Sequence, residues 1–563
     1  MSTIQFDAIV VGSGVSGGWA AKELTEKGLK VLMLDRGRMV EHGTDYTGEH
    51  MPPWKTPFHG KPLRELYAEE YPVQSTQYAF SETTRHFYNN DKNNPYIDQG
   101  KDFVWYRAGV VGGKSLLWGR QVYRWSDLDF EANKKDGHGV DWPIRYKDIA
   151  PWYSHVEKFI GVSGQAENLP HLPDGEFLPP MEMNVMEKAF KARLEQNYDD
   201  RILTMGRAAV LTQPHNGRAA CHYCGPCQRG CSAGAYFSTQ SSTLPAARAT
   251  GNLTLKSDAV VEGIDYDPET RRASGVRVID ANTMEHTTYT GKLVFLCAST
   301  VGSTQILLNS RSEQFPTGLA NRSGALGHYL MDHTYRTGAA GIFPGEFNDK
   351  VVYGSRPSGV YIPRFRNVSD EDDADFLRGY NYQGRASRVG GMGHALNTPG
   401  FGADYKHGLR RPGPWRIRLS GFGECLPYKD NRMELIESKK DRYGIPQIKF
   451  HFAWHENEMK IRRDIMKQGE EMLRRAGAVN VEGFDENATG GMCIHEMGTA
   501  RMGNDPMTSV LNSWNQAHDV PNLFVTDGAS MTSASCVNPS LTFMALTARA
   551  VDNAVKQLKA GQI

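Results

Sequence analysis

Gly12-Ser-Gly14-Val-Ser-Gly17 limits what this chain can fold into more than any other stretch. It follows an apolar run, Phe6–Val11, and opens a helical pattern that continues to about Lys27; a second apolar run, Lys30–Leu34, ends on Asp35. The result is a strand–helix–strand unit within about 30 residues, the setting in which Gly-x-Gly-x-x-Gly binds a dinucleotide. Gly12 permits the tight turn, Gly14 lets the backbone approach a pyrophosphate, and Gly17 lets helix and strand pack closely. The phosphates then sit on the helix N-terminus, where free N–H groups and the dipole favour anions. Asp35 is placed to accept hydrogen bonds from a ribose hydroxyl, and Arg36 beside it is assigned to the same nucleotide. The motif alone does not separate FAD from NAD.

With 563 residues the chain has room for two or more domains around a large cofactor. Lys+Arg and Asp+Glu are both 64, so no basic field recruits nucleic acid or anionic lipid. No run of about 18 apolar residues is present, so no direct membrane span is expected. Met1–Phe6 leads straight into the first strand without a basic segment or cleavage site, and the expectation is a chain with no export signal of its own.

Residues 41–100 are rich in Pro, Tyr, Phe, His and Asn with little periodicity, and read as long surface excursions wrapped on a core. Strand signals return at Leu253–Leu255, Val276–Ile279 and Leu293–Leu296, followed by a helix from about Val301. Short β-like runs with Gly, Pro and Asn turns over 335–455 predict an antiparallel sheet. Leu523–Thr526 reads as a strand and Ser540–Lys559 as a closing helix.

Three further constellations carry chemistry. Arg107-Ala-Gly109-Val-Val-Gly112-Gly113-Lys-Ser115-Leu-Leu-Trp118-Gly119 clusters glycines with a serine, so a loop can press its backbone against a flat or phosphorylated ligand. His495-Glu-Met-Gly498-Thr499 leads to Asp527-Gly and then Asn538-Pro539-Ser540-Leu-Thr542, where Pro539-Ser540 at a helix start would aim N–H groups at an electron-rich ring. Cys221, Cys224, Cys227 and Cys231 lie in one compact loop, whereas Cys297, Cys425, Cys493 and Cys536 stand alone and read as ordinary buried thiols. Tight Cys spacing lets one loop wrap thiolates around a single iron–sulfur cluster. Structural zinc, which usually uses two separated Cys pairs, and unliganded or disulfide-bonded thiols are the alternatives.

Together the N-terminal 35 residues, the 107–119 loop, Cys297-Ala298-Ser-Thr-Val-Gly302-Ser-Thr-Gln305 and nearly all of 490–556 resemble the glucose–methanol–choline (GMC) flavoprotein oxidoreductases. The resemblance implies FAD rather than NAD, held by Gly12, Gly14, Gly17, Asp35 and Arg36, by Gly112, Gly113 and Ser115, by Ala298, and by Asp527, Pro539, Ser540 and Thr542. It makes His495 and Asn538 the catalytic pair. A neutral imidazole suits removal of a hydroxyl proton as hydride leaves the carbinol carbon, and Asn538 can orient the same oxygen. The expected fold is α/β, with a Rossmann-type FAD domain from 1–45, 201–334 and 490–563, and an inserted α+β substrate domain with an antiparallel sheet from 46–200 and 335–489.

The Cys loop narrows the resemblance to iron–sulfur-containing GMC sugar dehydrogenases. These imply a [3Fe–4S] cluster on Cys221, Cys227 and Cys231; Cys224 is a departure that leaves [4Fe–4S] or a spare thiol open. The overall look of the chain, including its inserts at 50–96 and 399–454, is closest to glucoside 3-dehydrogenases. Glucose 1-dehydrogenase, gluconate 2-dehydrogenase and an O2-using pyranose oxidase are the alternatives. The same resemblance implies a small signal-bearing subunit, a c-type cytochrome acceptor and co-export to the periplasm.

Overall fold

The computed structural model describes residues 5–60, 63–369, 374–391 and 400–563. Its first sheet has a parallel part in the order Leu253–Lys256, Val31–Leu34, Gln5–Val11, His286–Leu296 and Leu523–Val525. Ala8 to Val11 are all buried, because a parallel sheet is covered on both faces. On one face Ala8 and Val10 pack with Ala20 and Leu24 of the helix Val15–Glu26 and with Ala550 and Val551 of the closing helix Ser540–Lys559. On the other, Ile9 and Val11 share a cluster with Ile264, Val276, Ile306 and Leu307.

His286–Leu296 is longer than its apolar signal. Its second half is the parallel strand, while its first half pairs antiparallel with Arg272–Asp280. His286, Thr287 and Thr288 are exposed, so nothing in their hydropathy marks a strand; the hairpin partner holds them.

The second sheet is antiparallel, in the order Val479–Asp485, Thr334–Phe343, Trp415–Gly423, Tyr380–Arg388, Val360–Ile362 and Thr204–Met205. Thr204–Met205 falls in the stretch assigned from sequence to the FAD domain, yet it is this sheet's edge strand. The helix Glu456–Arg475 lies across one face. Gly421 and Gly423 make room for it: a Cβ at either would come 2.4 Å from Ile465 or Ile461. Strand alternation sorts the neighbouring strand the same way. The Tyr382 hydroxyl donates to the Ile465 carbonyl at 2.6 Å on the helix side, while Asn381 and Gln383 meet Cys536 and Asn538 on the other.

Segment 41–100 packs on the core through part of its length while Trp54, Phe58 and Tyr78 stay exposed. Tyr46, Tyr71, Phe87 and Tyr88 are buried with Val110, Leu116 and Leu117, so the insert packs behind the Gly-rich loop. Bulky rings anchor irregular backbone there without any periodic pattern. Residue 399, the first of the second insert, lies outside the described residues. No helix among the described residues is long and apolar enough to cross a membrane.

Candidate active site

A cavity of about 410 Å³ follows the carboxyl ends of the parallel strands and reaches the antiparallel sheet. Gly12, Gly14, Asp35 and Arg36 line one end; Gly113, Ser115, Ala298, Asp527 and Ser540 line its middle. Gly14 caps the helix Val15–Glu26, and no atom lies within 4 Å of where its Cβ would be. That open space beside free helix N–H groups fits a pyrophosphate. Gly17 acts behind the wall, where a Cβ would sit 1.9 Å from the Gly12 carbonyl oxygen. Gly112 is also behind it, its N–H donating to the Ser13 hydroxyl at 2.7 Å and tying the 107–119 loop to the first turn. Asp35 accepts from the N–H groups of Ser13 and Gly37 at 2.9 and 2.7 Å, and burial pushes its carboxyl up. Burial likewise raises Asp527 to about 6. Pro539 and Thr542 are not on the wall: Thr542 Oγ1 is 2.8 Å from the Tyr153 hydroxyl, facing away.

At the far end His495 Nε2 and Asn538 Nδ2 stand 3.2 Å apart. Ile494, just before the histidine, has φ 69°, which a β-branched residue adopts only under constraint, at a cost of about 1–3 kcal/mol. Asp332 supplies the constraint. Its buried carboxylate accepts the N–H groups of Gly491, Cys493 and His495 at 2.7, 3.2 and 3.1 Å. Burial, with Glu496 nearby, pushes Asp332 up to about 7, while the N–H groups of His333, His495 and Cys493 pull it down. His333 brings Nδ1 to 2.9 Å from His495 Nδ1, and the Cys493 sulfur lies 3.2 Å from the same nitrogen. Gln383 Nε2 donates to Asn538 Oδ1 at 2.7 Å. Lys114 binds both oxygens of Glu496 at 2.9 and 2.7 Å on the cavity wall. Burial holds His495 well below the usual imidazole value, and His333 and the Lys114 ammonium add to this, so the ring is neutral at pH 7.

Sequence reasoning reached His495 and Asn538 but missed Asp332, His333, Gln383 and the Lys114–Glu496 pair. The polar pair Asp332-His333 directly after the buried Leu330-Met331 was the available signal.

GMC oxidoreductase models match residues 6–335 and 427–547. The chain belongs to the GMC oxidoreductase family. This GMC oxidoreductase is 28% identical to 2-methyl-1,2-propanediol dehydrogenase of Mycolicibacterium austroafricanum, over 98% of this chain and 95% of the other. It is 26% identical to the fructose dehydrogenase large subunit of Gluconobacter japonicus, over 99% of each. Its fold matches a formate oxidase of Aspergillus oryzae with a TM-score of 0.60 at 14% identity, covering 99% of each chain. It is thus an FAD-dependent oxidoreductase of CH–OH groups in sugars or alcohols.

The Cys loop of this GMC oxidoreductase lies behind the same cavity. Cys221, Cys227 and Cys231 are half-buried against the antiparallel-sheet core, and Cys224 is exposed. Burial pushes the Cys227 thiol up to about 11, with Arg120 opposing. Thiolates around one zinc at about 2.3 Å stand roughly 3.8 Å apart. Among the described residues, the one set of three donors within 4.8 Å is His333, Cys493 and His495, so the loop sulfurs are spread wider than a single zinc requires. Arg120 is buried, lines the cavity and lies 3.6 Å over the Tyr236 ring. Its guanidinium donates to the carbonyls of Phe237, Ser115, Leu116 and Trp118, and the acidic side chains that act on its charge are Tyr236, Cys227 and Tyr78, with no carboxylate among them. Cys297, Cys425, Cys493 and Cys536 are buried free thiols.

Proposed function

We propose that this chain is an FAD-dependent dehydrogenase that oxidises a secondary hydroxyl of a sugar or glycoside, with C3 of glucosides as the favoured position. The observation that carries the reading is the convergence of His495 Nε2 and Asn538 Nδ2, 3.2 Å apart, on a wall shared with Tyr78, Trp118, Tyr335 and Phe422. Aromatic rings stack on the C–H faces of a pyranose, and Gln383, whose amino group is committed to Asn538, still has its amide oxygen to accept from a hydroxyl. FAD, when bound, supplies the hydride acceptor. His495 takes the hydroxyl proton at Nε2, Asn538 hydrogen-bonds the same oxygen, and the closely packed wall keeps water from it. Oxidation at C3 leaves the anomeric substituent free, so blocked sugars remain substrates.

We further propose that Cys221, Cys227 and Cys231 hold a [3Fe–4S] cluster, with the exposed Cys224 outside the ligand set. An iron–sulfur cluster, when bound, supplies one-electron steps toward a c-type cytochrome. The buried, carboxylate-free Arg120 supports this, because an anionic thiolate cluster would offset its charge. A relative that is by name a large subunit supports a small companion chain, and export to the periplasm with that subunit completes the proposal. The test is anaerobic flavin bleaching by methyl glucoside, sucrose, glucose, fructose, gluconate and 2-methyl-1,2-propanediol, with the product carbonyl located by NMR. Turnover of the blocked sugars with a C3 carbonyl is expected; bleaching by free glucose alone moves the reaction to C1, and bleaching by the diol alone removes sugars as the substrate class.

A further inference from the structure

His333 and His495 bring their Nδ1 atoms to 2.9 Å, and two ring nitrogens at that distance need one proton between them. The other nitrogen of His333, Nε2, is 3.3 Å from the Ala534 carbonyl, which only accepts. Burial holds His333 at about 4, so at neutral pH the ring carries one proton, and the carbonyl claims it at Nε2. His333 Nδ1 is therefore an acceptor, and the shared proton belongs to His495 Nδ1. Cys493 agrees with this. Were its thiol donating to His495 Nδ1, that nitrogen and His333 Nδ1 would oppose two lone pairs at 2.9 Å; the sulfur, 3.2 Å away, is instead a second acceptor.

The opposite side of the His495 ring gives the same answer independently. Gln383 Nε2 donates to Asn538 Oδ1 at 2.7 Å, which turns the Asn538 amino group toward His495 Nε2 at 3.2 Å. That contact needs a lone pair on Nε2. We propose that His333 is a positioning residue: with Gln383 at the other end it completes a one-way hydrogen-bond chain, Gln383 to Asn538 to His495 to His333 to the Ala534 carbonyl. The chain locks His495 in the Nδ1–H tautomer and leaves Nε2 as its basic nitrogen on the cavity. The inference rests on the reading of His495 as the base. When Nε2 takes a hydroxyl proton, the imidazolium keeps its Nδ1–H bond to a neutral ring rather than to a carboxylate. Nothing anionic then holds the proton, and the base is readily returned to its starting form.

Two variants and one spectrum test this. His333→Leu removes the acceptor; His333→Asn puts an amide oxygen near the place of Nδ1. Holoenzyme with His333→Leu should keep FAD and substrate affinity but reduce its flavin roughly 10²–10³-fold more slowly, since a base in the wrong tautomer loses up to about 10⁴ in rate. His333→Asn should recover most of that loss. In wild-type holoenzyme labelled with ¹⁵N-histidine, His495 should show a protonated Nδ1 and an unprotonated Nε2, and His333 the reverse. A protonated Nε2 on wild-type His495, or wild-type flavin reduction in His333→Leu, overturns the proposal. If His333→Leu does not fold, the wild-type spectrum and the Asn variant decide. Undiminished flavin reduction in His495→Ala would remove the base reading while leaving the measured tautomers in place.

Discussion

His495 takes its position and protonation from residues far away in sequence. Asp332, 163 positions before it, holds the backbone through three N–H groups, and Lys114, from the Gly-rich loop, disfavours the imidazolium. His495→Ala should retain FAD and slow flavin bleaching by roughly 10²–10⁴, read by stopped flow. The pH profile follows from the sign of the shift. A base whose pKa is lowered is active above that lowered value, so flavin reduction should fall only as pH drops well below 6.5 and stay flat through neutrality. An acid limb centred at or above 6.5 would mean that another group controls the rate. Asp332→Asn presents an amino group to N–H donors and strands at least one of them. The expected cost is about 1–3 kcal/mol, seen as a lower Tm with loosened FAD. His495 and Asn538 were singled out by the resemblance to the GMC family, and the structure brings them together. Asp332 and Gln383 were not, because their partners lie 163 and 155 positions away and no local pattern marks them.

Elements were legible where hydropathy alone decides them. The closing helix runs Ser540–Lys559 as read from its pattern, and Leu523–Val525 lies within its apolar run. Strands held by pairing rather than burial were not: the exposed start of His286–Leu296 and the two-residue edge Thr204–Met205 carry no apolar signal. Glycines at Gly421 and Gly423 had a reason invisible before packing, since each faces an isoleucine of the helix Glu456–Arg475. This contact gives a clean test of how helix and sheet fit. Gly421→Ala drives a Cβ to 2.4 Å from Ile465 and should cost about 1–3 kcal/mol by overpacking. Ile465→Ala opens a cavity and should also destabilise, by about 2–5 kcal/mol. The double variant should be more stable than the sum of the two losses, because the new methyl enters the space the isoleucine left. Additive denaturant midpoints would show that the two residues do not press on one another.

At the scale of the whole molecule, the two sheets meet at one cavity and the Cys loop stands behind its wall. Arg120 touches both sides: it lines the cavity, and its charge faces Cys227. A buried guanidinium held by neutral carbonyls and the neutral Tyr236 side chain is an expensive arrangement unless negative charge forms beside it. Thiolates carrying the proposed iron–sulfur cluster would meet that need without touching the end of the cavity where the proposed catalytic pair, His495 and Asn538, stands. Oxidation of substrate and removal of electrons should therefore be separable. Cys227→Ser removes the proposed ligand whose thiol interacts electrostatically with Arg120. The purified variant should keep FAD, lose most of its iron and acid-labile sulfide, and bleach its flavin with substrate at close to the wild-type rate. Reduction of cytochrome c should then fall to background, leaving electrons on the flavin. Cys224→Ser is the companion measurement: its sulfur is exposed, so iron content and cytochrome reduction should both survive. Loss of iron in Cys224→Ser would make the cluster a four-cysteine one. Zinc in the wild-type protein, or unaltered cytochrome reduction in Cys227→Ser, would leave the flavin to pass its electrons directly to the acceptor.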